Sequence, residues 1–341
     1  MGKVRLADIA ERVGVSAVTV HNALTGRKGV SDEMREQIRN VAQELGYRPP
    51  SAVRRQERER TLKSVGVLIS ERYLADYTTF YWKMYQEMAI AVTDKGCMTT
   101  VEILKHGMED NLLLPRIVEE RSVDGLIVIG RIARAYIHAL KSAAEMPVVF
   151  VDFYDKELAG NAVIADNFYG MYLLTEYLFE CGCERLAYIG SIRSSSSILD
   201  RYCGFYKSLL EHDVPLPPEW LIEDRDEMGY INFELPKEMP DAFVCNCDLT
   251  AGILIMKLEA AGCRVPEDVS VIGFDNYLYP GFPDKKITSY EINTKAMVKI
   301  ALEKVLRQIR NPASGLGLSV VSGQIVEKES VRRREQSSQP E

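Results

Sequence analysis

The chain has 341 residues, of which 46 % are apolar, and its formal net charge is −7. This length suits two or three domains, and the composition allows a large buried core. No apolar run is long enough for a membrane span, and no apolar signal segment follows the N-terminal Met. We therefore expect a cytoplasmic protein with no membrane partner. The seven cysteines are an odd number in a long chain without an export signal, so we expect free thiols.

The charge is distributed unevenly along the chain. Residues 1–64 carry 13 Lys and Arg against 8 Asp and Glu, a net charge of +5, and the remainder carries a net charge of −12. A basic head on an acidic body indicates that one small domain meets nucleic-acid phosphates and that the larger domain does not.

Three short helices are predicted in residues 1–48. The apolar residues at positions 6, 9, 10 and 13 recur with a helical period, and Gly14 ends that segment. Ser16 is a good N-cap for a second helix, AVTVHNAL, and Ser31 for a third helix that ends at Gly46. This order is typical of a helix-turn-helix unit, whose second helix enters the DNA major groove. The alternative is an ordinary three-helix unit with polar surface residues.

The segment VRLADIAERVGVSAVTVHNALTGRKGVSDEMREQIRNVAQELGYRP resembles the DNA-binding head of the LacI/GalR (lactose-repressor) family. The similarity lies in DIAERVGVS, TV..AL.G, VS..MRE.I and ELGYRP. It implies a homodimeric transcriptional regulator whose DNA affinity depends on a small molecule, often a sugar. We therefore expect three partners, namely a double-stranded DNA operator, a sugar or sugar derivative as effector, and a second copy of the chain. No cofactor and no metal are expected.

Two departures from the family bear on DNA recognition. The family usually has Ser-Arg where this chain has His21 and Asn22, and a Leu wedge in the hinge where this chain has Gln56. Asn reads adenine, whereas Arg reads guanine, and Gln lacks the apolar surface of a wedge. We expect adenine in the operator where relatives require guanine. The candidate DNA-binding residues are Ser16, Ala17, Val18, Thr19, His21, Asn22, Thr25, Arg27, Lys28, Arg54, Arg55 and Gln56.

Residues 49–63, PPSAVRRQERERTLK, are predicted to form a hinge linker because they begin with two prolines and are rich in charge. Its arginines can neutralise phosphates, and the alternative is a solvated tether. We expect a DNA-binding domain over 1–48, this hinge, an effector-binding domain over 64–331 and a charged tail over 332–341.

Strand-like and amphipathic segments alternate after residue 64. The predicted strands are SVGVLIS, MTTVEIL, VDGLIVIG, PVVFVD, NAVIAD, RLAYIG, DAFVCN, VSVIGF and ITSYEI, and EDNLLLPRIVEER is among the predicted helices. This alternation predicts parallel sheets covered by helices, and about 270 residues favour two subdomains.

The order of these segments resembles the periplasmic-binding-protein type I core that the LacI/GalR family shares. The resemblance implies an α/β body of two doubly wound parallel-sheet subdomains behind the α-helical head, with three chain crossings. We expect an N-subdomain of 64–165 plus 293–322 and a C-subdomain of 166–292 plus 323–331.

Ligands of open α/β sheets bind beyond the carboxyl ends of the strands, which here is the cleft between the subdomains. The resemblance implies effector contacts by Phe80, Arg201, Asp248 and Asp275, with Cys247 where the family has Asn. The alternatives are aromatic residues packed in the core, a surface ion pair of Arg201 and helix-capping aspartates. The candidate effector-binding residues are Ser70, Glu71, Phe80, Tyr81, Asp152, Arg201, Cys247, Asp248 and Asp275.

Motifs for catalysis are missing from the sequence. It contains no dinucleotide-binding or P-loop glycine pattern, no nucleophile elbow and no HExxH, and its four His are scattered. A regulator, and not an enzyme, is therefore the expected function. An α/β enzyme and a cytoplasmic sugar-binding protein remain the alternatives, and salt-sensitive DNA binding would favour the regulator.

Overall fold

The computed structural model describes residues 6–25, 30–45, 63–74, 80–156, 161–226, 230–277, 279, 286–314 and 317–333. The chain forms two compact units, Met1–Leu62 and Lys63–Glu341, which are called here the head and the body.

The head contains the three predicted helices, α1 (Leu6–Val13), α2 (Ala17–Thr25) and α3 (Asp32–Glu44). Gly14 has a φ of 77°, a left-handed conformation that ends α1. The Ser16 hydroxyl accepts a hydrogen bond from the Thr19 amide at 3.1 Å and so caps α2. The three helices bury Ile9, Val20 and Ile38 in a common core, and this small core holds the exposed face of α2 in place.

The body consists of two six-stranded sheets with covering helices. The helices are α4 (Phe80–Asp94), α5 (Arg116–Glu119), α6 (Arg134–Ala143), α7 (Asn167–Glu180), α8 (Ser196–Glu211), α9 (Asp248–Ala260) and α10 (Thr294–Arg310). The strands are β1 (Ser64–Ser70), β2 (Met98–Leu104), β3 (Gly125–Ile129), β4 (Val148–Val151), β5 (Ala162–Ala165), β6 (Leu186–Ile189), β7 (Leu221–Ile222), β8 (Ala242–Cys245), β9 (Ser270–Asp275), β10 (Thr288–Glu291), β11 (Leu318–Val321) and β12 (Gln324–Val326).

The strand order is β11-β5-β4-β3-β1-β2 in the first sheet and β12-β10-β9-β8-β6-β7 in the second. All pairs are parallel except β10 with β12. The chain passes from the first sheet to the second after β5, returns to the first between β10 and β11, and passes to the second again between β11 and β12, which makes three crossings. The predicted fold class is confirmed, because parallel strands alternate with covering helices in both sheets.

The nine predicted strands are present, and two features differ from the prediction. The segment 109–121 is mostly turns, and only Arg116–Glu119 is helical. Pro115 precedes that short helix, because its ring cannot be accommodated in a helix interior. The short strands β7, β11 and β12 were not predicted. They have two to four residues, and their mixture of exposed and half-buried side chains produces no apolar run.

Helices α7 and α8 pack closely because Gly204 lacks a side chain. A Cβ added at Gly204 would overlap the backbone carbonyl oxygen of Phe168. This close approach also brings Arg201, on α8, within hydrogen-bonding distance of Asn167, at the start of α7. The glycine therefore contributes both to packing and to the position of a charged side chain.

Replacing Gly204 with Ala tests this packing. We expect Gly204→Ala to lower the free energy of unfolding by about 1–3 kcal/mol, because the methyl group must push against backbone atoms. The measurement is urea denaturation of the full chain. Cys203→Ala is the matched control, since Cys203 is exposed on the same turn. Equal stability of the two variants would contradict the close approach.

Candidate functional site

The guanidinium of Arg201 is buried in the body and has a partner at each nitrogen. Its side chain is 6 % exposed. Nε donates to Oδ1 of Asn167 at 2.8 Å, and Nη1 donates to the backbone carbonyl of Asn246 at 2.6 Å. Nη2 lies 3.1 Å from Oδ1 of Asp275, and the guanidinium stands 3.9 Å from the ring centroid of Phe274. Arg201 is therefore part of an interior polar cluster and does not form the surface ion pair that was the alternative.

Two aspartates stand close to this guanidinium at strand ends. Asp275 ends β9 with a φ of 102°, and Asp152 follows β4 with a φ of 66°. Such conformations are strained for residues other than glycine and cluster at functional sites. Burial raises the pKa of Asp275 to about 7, although the positive charge of Arg201 opposes the shift. Burial also raises the pKa of Asp152, again opposed by Arg201.

Aromatic rings line the same region from both sheets. Tyr81, on α4, donates its hydroxyl to Oδ2 of Asp152 at 2.8 Å. The rings of Tyr73 and Tyr81 have centroids 4.4 Å apart, and those of Phe80 and Tyr277 are 6.3 Å apart. Phe80 follows the first sheet's β1 and Tyr277 follows the second sheet's β9, so this contact joins the two halves of the body. Phe80 is 5 % exposed and packs in the hydrophobic core, which was the alternative for it, whereas Tyr73, Tyr81 and Tyr277 are partly buried. Aromatic faces of these tyrosines suit the ring of a small ligand.

Asp224 is the centre of a buried hydrogen-bond group that the sequence did not reveal. It is fully buried and accepts from the Ser191 amide at 2.8 Å, from Nδ2 of Asn246 at 2.6 Å and from Oγ1 of Thr250 at 2.8 Å. Nη1 of Arg225 lies 3.1 Å from Oδ2 of Asp224. These five residues are called the Asp224 group. The group fixes the peptide whose carbonyl accepts a hydrogen bond from Arg201.

Cys247 and Asp248 stand at the start of α9. The Cys247 thiol is buried, 3.4 Å from Oγ1 of Thr250. Oδ2 of Asp248 accepts from the Tyr277 amide at 2.8 Å, and its buried Oδ1 has no hydrogen-bond partner among the described residues. Burial raises the pKa of Asp248 to about 8, and the neighbouring carboxylate of Asp275 contributes to the shift. Asp248 thus holds the loop that carries Tyr277.

Ser70 and Glu71 belong to a different hydrogen-bond group at the end of β1. The Ser70 hydroxyl donates to Glu109 at 3.2 Å, and the His106 amide donates to Glu71 at 3.0 Å. Glu109 also accepts from Nη2 of Arg72 at 2.9 Å. In the described part of the chain, the side chains of Ser70 and Glu71 make these contacts and none with Arg201. Sequence reasoning missed Glu109, which lies in a segment predicted to be helical.

The head presents the start of α2 on its surface. Ala17, Val18 and His21 are exposed, and Val18 is 68 % exposed, which is unusual for a large apolar side chain. Asn22 and Thr19 are half-buried. Thr25 is the last residue of α2. Its side chain lies outside the described residues, as do Arg27, Lys28, Arg54, Arg55 and Gln56.

Comparison with protein families gives two matches in chain order. Residues 5–50 match the model for bacterial regulatory proteins of the lacI family, and residues 175–331 match a periplasmic binding protein-like domain. The head of the chain therefore matches the lacI family, and the body matches a periplasmic binding protein-like domain. Among the described residues of the chain, no helix has the length and apolar character needed to cross a membrane.

Relatives match over nearly the whole chain. The HTH-type transcriptional repressor PurR of Erwinia tasmaniensis is 27 % identical over 333 residues, which cover 96 % of each chain. The ribose operon repressor of Haemophilus influenzae is 25 % identical over 341 residues, which cover 96 % of this chain and 98 % of that one. Both relatives are repressors by name.

Solved structures share the fold. The lac repressor dimer bound to operator and the anti-inducer ONPF has a TM-score of 0.65 and 21 % identity, with 97 % of this chain and 100 % of that chain covered. The complex of the transcriptional regulator CelR with cellobiose also has a TM-score of 0.65 and 21 % identity, with 96 % and 100 % covered. A LacI-family regulator from Enterococcus faecium with bound ribose has a TM-score of 0.63 and 19 % identity, with 80 % and 100 % covered.

The raised pKa of Asp248 predicts a pH-dependent stability. An unfolded Asp titrates near pH 4, whereas folded Asp248 titrates at about 8. The stability linked to this proton is therefore complete below about pH 4 and is lost as the pH rises towards about 8. Asp248→Asn removes this loss. Its stability relative to the native chain should rise between pH 5 and pH 8 by more than about 1.4 kcal/mol, the equivalent of one pKa unit.

Urea denaturation at both pH values measures this difference. Asp268→Asn is the control, because a hydrogen bond from Arg264 lowers the pKa of the exposed Asp268 to about 2. That carboxyl is ionised in both states above pH 5, so its replacement should leave the pH dependence unchanged. A constant difference between Asp248→Asn and the native chain at both pH values would show that Asp248 is not held protonated.

Proposed function

We propose that this chain is a LacI-family transcriptional repressor whose operator affinity is controlled by a small polar ligand bound at the Arg201 cluster. The observation that carries the proposal is a buried guanidinium flanked by two strained strand-end aspartates, in a chain that also has a helix-turn-helix head. Because the proposed partner is DNA, the protein would act in the cytoplasm.

The proposed ligand cleft lies between an N-subdomain of 64–165 plus 293–322 and a C-subdomain of 166–292 plus 323–331. Tyr81 and Asp152 come from the first of these, and Arg201, Asp275 and Tyr277 come from the second. A ligand that contacts both sets favours one arrangement of the subdomains. Such a ligand can change DNA affinity only if it binds one arrangement more tightly than the other.

A sugar or sugar derivative suits this cleft best. Carboxylates and a guanidinium can bind hydroxyl groups, and aromatic faces can stack on a sugar ring. Two of the structural relatives were solved with cellobiose and with ribose, which supports the choice of ligand class.

We propose that the chain acts as a homodimer on a roughly two-fold symmetric operator. One helix-turn-helix head reads only a few base pairs, so two heads on a two-fold axis give useful specificity. The lac repressor relative is a dimer bound to its operator. The exposed start of α2 would enter the major groove, with Val18 against a thymine methyl and Asn22 against adenine. The basic residues at 27, 28, 54 and 55 would contact phosphates.

Replacing Asp275 tests the cleft. Operator duplexes would first be selected from random DNA and then titrated with the full chain in a panel of mono- and disaccharides, with fluorescence anisotropy as the readout. We expect at least one sugar to change the operator Kd by about fivefold or more, a typical allosteric coupling. Asp275→Asn should lose this response and keep its sugar-free operator Kd within about twofold, because the head is unchanged.

Asp200→Asn is the control for that experiment. Asp200 adjoins Arg201 in the chain but accepts a hydrogen bond from the Tyr154 hydroxyl at 2.8 Å, so its replacement should keep the sugar response. Failure of the native chain to bind any duplex in a salt-sensitive manner would overturn the proposed function. An unchanged sugar response in Asp275→Asn would show that the sugar does not act through the cleft at the Arg201 cluster.

Replacing Asn22 tests how the head reads its operator. Asn22→Ala should weaken binding to the selected operator by about 1–3 kcal/mol, the usual range for a bidentate contact to adenine. Binding to random duplexes should stay the same. Gln37→Ala, at an exposed position of α3, is the matched control and should alter neither affinity. Equal affinity of Asn22→Ala and the native chain for the selected site would mean that Asn22 makes no base contact.

A further inference from the structure

We propose that the effector carries a protonated amine, which Asp152 binds through its carboxylate. An amino sugar, with one ammonium group on a hydroxylated ring, is the simplest ligand of this class. The inference rests on the proposed function, since it names the chemistry of the ligand in the same cleft.

Among the described residues, the carboxylate of Asp152 has one oxygen without a partner. Asp152 is 5 % exposed, and its Oδ2 accepts a hydrogen bond from the Tyr81 hydroxyl at 2.8 Å. Its Oδ1 is buried, and no hydrogen-bond partner for it is found in the part of the chain that the structure describes. A buried acceptor without a donor costs free energy that a good hydrogen bond would recover. The cleft therefore lacks a donor at Oδ1 of Asp152.

Arg201 is the nearby cation, and its nitrogens are already engaged. Nε, Nη1 and Nη2 point to Asn167, to the Asn246 carbonyl and to Asp275 respectively. Its positive charge does lower the pKa of Asp152 against the larger effect of burial. Arg201 thus stabilises the cleft electrostatically while its hydrogen bonds are made to other groups, so a ligand can supply the donor that Oδ1 of Asp152 lacks.

The charge balance of the cleft favours a cation over a neutral donor. Asp248, whose pKa is raised to about 8, is neutral at pH 7, so Asp152 and Asp275 are the carboxylates that can carry charge beside Arg201. Arg201 is paired with Asp275 and Arg225 with Asp224, so in the described part of the chain no cation is bonded to Asp152. Buried charges are costly unless they are paired. A hydroxyl would satisfy the hydrogen bond and leave the excess negative charge, whereas an ammonium group would satisfy both.

The aromatic residues are consistent with this choice. The hydroxyl of Tyr81 is hydrogen-bonded to Asp152. The ring centroids of Tyr73 and Phe80 lie 4.4 Å and 5.5 Å from that of Tyr81. An aromatic face attracts a cation, and the attraction is stronger when the cation is desolvated. The ammonium site would therefore combine a carboxylate with neighbouring aromatic rings.

Matched ligand pairs test the inference on the full chain. Glucosamine would be compared with glucose, galactosamine with galactose and mannosamine with mannose, below the pKa of the amines, by calorimetric titration. N-acetylated forms serve as neutral controls of similar shape. We expect at least one amino sugar to bind about tenfold or more tightly than its parent sugar, and its N-acetylated form to lose this advantage.

Two variants test whether Asp152 is responsible for the preference for an amino sugar over its parent sugar. Asp152→Asn keeps an acceptor oxygen and removes the charge, so it should reduce the tenfold preference to near parity. Asp200→Asn, which removes a carboxylate next to Arg201 in the chain, should keep the preference. Parent sugars that bind as tightly as their amines would overturn the ammonium inference and leave the proposed function intact. An absence of binding by every pair would also overturn it, and the DNA titrations would still decide the proposed function independently.

Discussion

The guanidinium of Arg201 is the charge on which the architecture of the cleft depends. Moving such an ion out of water costs several kcal/mol even after relaxation, and only close, well-oriented partners offset this cost. Here the partners come from the start of α7, the loop after β8 and the end of β9. These three elements must therefore be in place together. The close packing of α7 on α8 at Gly204 is one condition for this arrangement.

Parallel sheets explain why these groups meet in one place. All parallel strands of a sheet direct their carboxyl ends to the same edge, and a ligand site forms where the connections diverge. Asp152 and Asp275 lie at these carboxyl ends. Asp152 follows a strand of the first sheet, Asp275 ends a strand of the second, and both have a positive φ. Each such conformation costs about 1–3 kcal/mol and persists only when its surroundings hold it. The burial of both residues and the contacts with Tyr81 and Arg201 hold them.

The sequence predicted the elements that have a local signal. Most of the nine predicted strands are apolar runs because both faces of a parallel sheet are covered, and Ser16 identified the start of α2. The Asp224 group was not predictable in this way, because its partners come from loops far apart in the chain and no periodicity links them. Glu109 was missed for a related reason, since an amphipathic pattern suggested a helix where turns form. The strands β11 and β12 have four and three residues with a polar residue in each, and their mostly exposed or half-buried side chains give no pattern that separates them from the adjoining loops.

The resemblance to a family brought Arg201 and Asp275 forward as candidates, and the structure shows what their chemistry is in this chain. Arg201 is buried, and the side chain of Asp275 is only 9 % exposed. The two are paired next to Asp152, for which the position after a strand was weaker evidence. Ser70 also lies at a strand end, but its hydroxyl donates a hydrogen bond to Glu109 and does not join the Arg201 cluster. A position at a strand end thus predicts only that a side chain lies near the ligand site. Whether the side chain joins the Arg201 cluster depends on its hydrogen-bond partners.

The central claim is that Arg201 and Asp275 stabilise the body as a mutually dependent pair. A double-mutant cycle measures this most directly, with Arg201→Met, Asp275→Asn and the double variant compared by urea denaturation at neutral pH. The account predicts that the double variant loses less stability than the sum of the two single losses, by about 1 kcal/mol or more, because each single change leaves a buried group without its partner. Losses that add within about 0.5 kcal/mol would show that the two side chains act independently, which would contradict the account.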